Sequence, residues 1–316
     1  MRLFEHPDFA TLIVATAERL GMPPDFVEKD YYVTEALRIA QQKLADRVTF
    51  KGGTSLSKGW RLISRFSEDI DLFVDPRADP VLDNDRAIDR QLKGLRQAIG
   101  EHPALSYVDG RGQTVGGLGR EDYFRYESRL GGLPSLEPVV MVEPGIQSGG
   151  FPIEVVSLRS YAAEFLESQG LGGVADDLAP FDMQLLHYRR TYVEKLFTVH
   201  QKVTSVLETG RQLGRHARHY ADIDLLGRRQ DVRLMLRSAE YQQIKVDYDE
   251  RSRRYFKNYR PPDDLDLSQS VALFPPTELA EMLAAEYERE CSALFYGPYP
   301  SFSEVLAGLE EVRDLL

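Results

Sequence analysis

Two neighbouring stretches hold the residues best suited to chemistry: Phe50-Lys51-Gly52-Gly53-Thr54-Ser55-Leu56-Ser57-Lys58 and Arg65-Phe66-Ser67-Glu68-Asp69-Ile70-Asp71-Leu72. Adjacent glycines after a short apolar run let the backbone turn sharply and approach a ligand with no Cβ in the way. Thr54 and Ser55 then stand at a helix start, where backbone amides and hydroxyls favour anions. In the second stretch, acid and apolar residues alternate over Asp69–Val74, which predicts a strand with one polar face. Residues two apart on a strand share a face, so Asp69 and Asp71 project together. Two parallel carboxylates repel unless a cation lies between them, and hard oxygen ligands suit Mg2+. An edge strand guarded by acids has the same Asp-x-Asp pattern. The Gly-Gly-Thr-Ser turn upstream favours the metal, and with it phosphoryl or nucleotidyl transfer from a triphosphate.

The elements that must position these groups read as follows. Helices are expected from Asp8 (N-cap) to Gly21 and from Pro24 through Ala40, then a strand at Val48–Phe50 ended by Gly52-Gly53. Thr54 or Ser55 can cap a helix through Leu62-Ile63. Asp83 to Ile99 reads as a helix, and the Gly-rich stretch from Asp109 to Gly119 as a loop or hairpin. Tyr123–Leu130, Val139–Val142 and Pro152–Leu158 are strand-like. Helical spacing dominates afterwards: Asp182–Leu207, Arg218–Leu226, Asp231–Ser238, Thr277–Leu294, and Glu304–Leu316 behind a Ser301-Phe302-Ser303 cap. The fold class is therefore α+β: residues 1–158 form an α/β domain with a mixed sheet and N-terminal helices, and 159–316 a mainly helical domain.

Composition narrows the partners. With 42% hydrophobic and 28% charged residues, the 316-residue chain is an ordinary globular protein. No apolar run reaches bilayer length, and the N-terminal segment is amphipathic, not a secretory signal, which points to the cytoplasm and no membrane. Cys291 stands alone, so there is neither a disulfide framework nor a cysteine metal site. The net charge, 39 − 50 = −11, argues against nucleic acid, but its distribution does not. His187–Arg260 holds 17 Lys+Arg against 9 Asp+Glu, leaving 8 net positive there and −11 − 8 = −19 elsewhere. A basic block inside an acidic protein suits a phosphate-facing surface, although solvated helix faces have the same composition.

Gly-Gly-Thr-Ser-Leu-Ser-Lys leading to Arg-Phe-Ser-Glu-Asp-Ile-Asp-Leu resembles motif I of the AbiEii-type (MenT-like) nucleotidyltransferases, toxins of type IV toxin–antitoxin systems within the polymerase-β-like superfamily. Glu28-Lys29-Asp30-Tyr31, Tyr192-Val193-Glu194-Lys195-Leu196 and Arg218-His219-Tyr220-Ala221-Asp222 resemble three further family motifs, in order. The resemblance implies Asp69 and Asp71 as metal ligands for two Mg2+ ions. It implies Gly52, Gly53, Thr54, Ser55, Lys58 and Ser67 around the nucleotide phosphates, and Lys195 on the triphosphate, with Asp222 orienting either that lysine or the nucleotide. Taken as residues alone, Lys195 also fits a snorkelling lysine, and Asp222 an ordinary partner of Arg218. The superfamily often carries a third carboxylate as general base, and Glu154, alternating with apolar neighbours, is the candidate. The implied partners are an NTP, an RNA acceptor (the tRNA 3′ end) and a cognate antitoxin. Arg189, Arg190, Lys202, Arg211, Arg215 and Arg218 would follow the RNA backbone. Two other readings stay open: transfer to a small molecule or protein, and a non-catalytic nucleotide- or antitoxin-binding module.

Overall fold

The computed structural model describes residues 1–67, 69–76, 84–115, 118–131 and 136–316. It divides into two compact units. The first comprises Met1–Gly59, Phe66–Ile146 and Ile153–Leu185; the second comprises Trp60–Arg65, Gln147–Pro152 and Leu186–Leu316. The architecture is α+β, as expected.

In the first unit α1 (Phe9–Leu20) stops at Gly21, whose φ of 66° is the left-handed conformation that ends a helix without a Cβ penalty. The next helix, α2 (Pro24–Leu44), opens on Pro24 and is buried along most of its length, charges included. Buried charges need partners, and α2 has them. Glu28 accepts from the Ser128 hydroxyl and the Arg129 amide (2.7 and 2.8 Å), and Lys29 Nζ donates to the Glu137 carbonyl at 3.2 Å. Tyr31 donates to Asp177 at 2.6 Å. The Glu-Lys-Asp-Tyr segment therefore works inside the fold.

The sheet contains β1 (Val48–Lys51), β2 (Asp69–Val74), β3 (Ser106–Tyr107), β4 (Gln113–Val115), β5 (Gly119–Arg125), β6 (Val139–Gly145), β7 (Ile153–Leu158) and β8 (Phe181–Leu186). Its order is β3-β5-β6-β2-β1-β8-β7, with β4 also paired to β5. β2 lies at the centre, antiparallel to β1 and parallel to β6, and buries Ile70 and Leu72 while its first acids stay half-exposed. The expected Gly-rich hairpin is β4–β5; its residues 116 and 117 lie outside the described ones. The helix expected from Asp83 is α4 (Asp85–Gly100), capped by the Asn84 side chain, and residue 83 lies outside the described ones. A shorter helix, α5 (Tyr161–Ser168), is capped by Ser160.

Two expectations are corrected here. Helix does not begin at Asp182: Phe181–Leu186 is β8, paired parallel to β1 through Thr49↔Gln184 and Phe50↔Leu185. Leu185 and Leu186 satisfy a helical repeat and a buried strand equally well, and the pairing with β1 decides between them. The segment after the glycines is also shorter than expected. It is one α-turn, Gly52–Thr54 (α3), running into a π-turn, Ser55–Gly59, with neither Thr54 nor Ser55 as N-cap.

The second unit is built on α6 (Tyr188–Thr209), capped by His187 and ended by Gly210 at φ 68°. Around it run α7 (His219–Gly227), α8 (Gln230–Leu236), α9 (Ala239–Tyr255), α10 (Thr277–Leu294) and α11 (Phe302–Glu310). The α11 start is a capping box, in which Ser301 Oγ accepts from the Glu304 amide and Glu304 accepts from the Ser301 amide. Among the described residues no helix is long and apolar enough to cross a membrane.

Candidate active site

The site in the first unit is set by the approach of one turn to one strand. β1 delivers the chain to Gly52, which turns at φ 73° directly over β2. A Cβ at Gly52 would lie 1.9 Å from Asp71 Oδ2. Only glycine fits there, both for its backbone angle and for that carboxylate. Thr54 Oγ1 donates to the Asp69 carbonyl, tying the turn to the first residue of β2. Ser55 Oγ donates to the Gly52 carbonyl at 2.9 Å, and Ser57 Oγ to the Gly53 and Thr54 carbonyls. These hydroxyls stabilise the turn itself, so what it can offer a phosphate is the backbone N–H groups of its opening residues. Gly53 is half-exposed and Ser67 is buried; Glu68 lies outside the described residues.

Asp69 and Asp71 share one face of β2, with Ile70 buried behind them. Opposite Asp71 in the β1–β2 register stands Lys51, whose Nζ is 3.7 Å from Asp71 Oδ1 and offsets part of the carboxylate repulsion. Among the described residues no three carboxylate, histidine or cysteine side chains close into a metal cage. The pair nonetheless fits Mg2+, which is commonly held by one or two carboxylates while substrate phosphates and water complete its octahedron. The glycine at position 52 lets the Asp71 carboxylate lie directly against the turn, where a side chain would displace it.

Lys58 and Glu154 do not join this arrangement. Lys58 is buried; its Nζ makes a 2.7 Å ion pair with Asp30 and donates to the Arg159 carbonyl at 3.1 Å, while Asp30 also accepts from the Tyr161 amide. This is an internal charge pair holding the π-turn to α2, not a phosphate ligand. Glu154 lies on β7, separated from β2 by β8 and β1, roughly 14 Å away at normal strand spacing. The acid that the sheet does bring alongside is Glu143 on β6, in register with Asp71 across the parallel β2–β6 pair. Residues in register share a face, so the candidate third carboxylate moves from Glu154 to Glu143. Sequence reading missed it because Val139–Val142 has no polar alternation, and only strand order reveals the neighbour.

The second unit holds a separate charged cluster. Asp222, fully buried, accepts a two-point fork from Arg65 (Nε to Oδ1 and Nη2 to Oδ2, both 2.8 Å) and lies 2.7 Å from Lys195 Nζ. Asp222 thus contacts Lys195, which suits one of the two roles that the motif resemblance leaves open to it, but its strongest partner is Arg65, which spacing gave no reason to single out. His219 Nδ1 is 3.1 Å from Lys195 Nζ. Burial alone would raise the Asp222 pKa; Arg65 and Lys195 overcome it and hold the carboxyl well below the usual range. Burial pushes the Lys195 ammonium down against the pull of Asp222, and Arg65 and Arg218 add to the depression. Two cations on one carboxylate leave this cluster short of negative charge, the condition in which a phosphate is welcome.

The sequence matches the family model described as "Nucleotidyl transferase AbiEii toxin, Type IV TA system" over residues 35–308. The chain belongs to this family. It is a nucleotidyltransferase toxin of a type IV toxin–antitoxin system, which implies an NTP substrate and a cognate antitoxin. Among solved structures, the chain is similar to MenT4, a nucleotidyltransferase toxin from Mycobacterium tuberculosis H37Rv, at 18% identity over 96% of this chain and 95% of that one, with a TM-score of 0.40. No curated protein matches the sequence.

In this AbiEii toxin the basic block is partly spent on structure. Arg190 is 1% exposed and binds Glu194, Asp247 and the Phe151 carbonyl (2.8, 2.6 and 2.8 Å), so it cannot follow an RNA backbone. Arg189 is paired with Glu240 at 3.0 Å. Closer to Lys195, Lys202 on α6 and Arg215 and Arg218 on the following turn surround His216. Burial first, then Lys202, Arg215 and Arg218, push the His216 pKa down to about 3, as expected in a strongly positive field.

Proposed function

We propose that this chain transfers a nucleotidyl group from a Mg2+-bound NTP to an RNA acceptor, the 3′ end of tRNA, in the cytoplasm. The observation that carries the reading is the Asp69–Asp71 face packed against the Gly52 turn. Asp69 and Asp71 would hold the metal, which when bound neutralises triphosphate charge and supports in-line attack. The amides of the Gly52–Gly53 turn would take phosphate oxygens, with Ser67 close by. Lys195, fixed by Asp222 and backed by Arg65, would hold the remaining triphosphate charge. Glu143, in register with Asp71, would accept the proton of the attacking hydroxyl. Lys202, Arg211 and Arg215 would contact acceptor phosphates, whereas Arg218 is buried and would act only through the field around Lys195.

Purified protein incubated with Mg2+, each labelled NTP and total tRNA should label RNA, and Asp69→Asn with Asp71→Asn should abolish the label. No labelled RNA with any of the four nucleotides refutes the acceptor assignment. Label on a protein or small molecule that survives charge reversal at Lys202 and Arg215 would establish the alternative acceptor.

A further inference from the structure

A cavity of about 430 Å³ lies in the first unit among α2, the turn after α4 and the Asp176-Asp177 loop, built from residues other than the Asp69–Asp71 face. Its mouth carries the exposed Glu5, Gln42 and Asp176, and deeper in lie the buried Glu35 and His102. His102 is 5% exposed, and its two nitrogens differ. Nδ1 accepts from the Ala104 amide at 3.2 Å, so in the neutral ring Nε2 carries the proton. Burial, then Arg2, depress its pKa to about 4, which keeps the ring neutral at pH 7. Nε2–H has no hydrogen-bond partner among the described residues, and the same is true of the buried Arg2 Nη1. Glu35 Oε2 lies 4.0 Å from Nε2, while Oε1 accepts from Arg38 Nε at 3.0 Å.

These groups select a ligand. A metal is excluded at His102, because Nδ1 is an engaged acceptor and Nε2 bears hydrogen. A phosphate is opposed by the four carboxylates of Glu5, Glu35, Asp176 and Asp177, which outnumber the guanidiniums of Arg2 and Arg38 and the Met1 ammonium paired with Asp176. What remains is a neutral molecule that offers an acceptor to two donors and, beside it, a donor to a carboxylate. The volume holds a nucleoside-sized heterocycle, and Ile39 and the Arg38 guanidinium give it faces to lie against. We propose that this cavity binds a keto nucleobase, its carbonyl oxygen accepting from Arg2 and His102 and its ring N–H donating to Glu35.

Calorimetric titration of the full chain with guanosine, uridine, adenosine, cytidine and N-acetylglycinamide tests this. Guanosine or uridine should bind saturably, and adenosine and cytidine, which present an amino group where the carbonyl belongs, should bind at least about tenfold more weakly. His102→Phe keeps the ring against Phe4 and removes the donor, and Glu35→Gln keeps the Arg38 contact and removes the carboxylate. Each should weaken binding about tenfold, with the melting temperature confirming the fold. No saturable binding would show that the cavity holds only water and overturn the proposal. So would binding of the acyclic amide without either nucleoside, or nucleoside binding unchanged in both variants.

Discussion

Replacing Gly52 by alanine separates the geometry of the carboxylate site from ordinary backbone strain. At φ 73° an alanine costs about 1–2 kcal/mol for the left-handed conformation alone. Its Cβ would also stand 1.9 Å from Asp71 Oδ2, inside the 3.0 Å that real Cβ contacts keep, so the carboxylate must withdraw by at least 3.0 − 1.9 = 1.1 Å. A displacement of that size in a catalytic group costs roughly a hundredfold in rate. Gly110 provides the control: its φ is 76°, and a Cβ there meets nothing within 4 Å. Gly110→Ala and Gly52→Ala should therefore share the strain cost in denaturant unfolding. Nucleotidyl transfer should fall about a hundredfold only in Gly52→Ala, with a raised Mg2+ requirement. Equal transfer by the two variants at saturating NTP would show that Asp71 need not stand where the turn holds it.

Three further outcomes follow from buried charge. Lys58→Met strands the Asp30 carboxylate and should cost about 3–5 kcal/mol in unfolding free energy, yet leave transfer per folded molecule unchanged; a stable but inactive variant would restore Lys58 to the phosphates. Asp222→Asn leaves Arg65 and Lys195 facing each other, and should lower stability by a similar amount and weaken NTP binding; normal NTP affinity in titration would remove Lys195 from the triphosphate. The third concerns pH. Unfolded His216 takes a proton near pH 6.5 whereas the folded residue resists until about 3, so its contribution is complete above pH 6.5 and is lost as pH falls through that window. Relative to His216→Gln, the wild type should lose about 2 kcal/mol between pH 6.5 and 5, and overlapping stability–pH curves would contradict this.

What the sequence disclosed and what it hid divide along the range of the interactions. The Asp69–Asp71 face follows from a period of two, the Gly21 stop from a single residue, and the cap of α11 from Ser301, although the helix itself begins at Phe302 and ends at Glu310 instead of running from Glu304 to Leu316. All are decided within a few neighbours. The misreadings are decided by partners more than 25 residues away. Asp182–Leu186 becomes a strand only because β1 accepts it, and Lys58 is withdrawn from solvent by Asp30. Glu143 reaches Asp71 only through sheet order, and Arg65 reaches Asp222 across 157 residues.

The charge pattern obeys the same division. The block from His187 to Arg260 reads as one basic surface, but its arginines have two fates. Arg190 is closed off by Glu194 and Asp247, whereas Lys195, Lys202, Arg215 and Arg218 crowd one another around His216 with Asp222 as the acid beside them. Like charges kept together repel, and in the proposed function the triphosphate or the acceptor backbone would be the anion that offsets this. On the function proposed above, the local net charge of +8 understates how unevenly the phosphate-facing charge is placed: it gathers on the turn of helix that carries Lys195 and the segment that leads to Asp222.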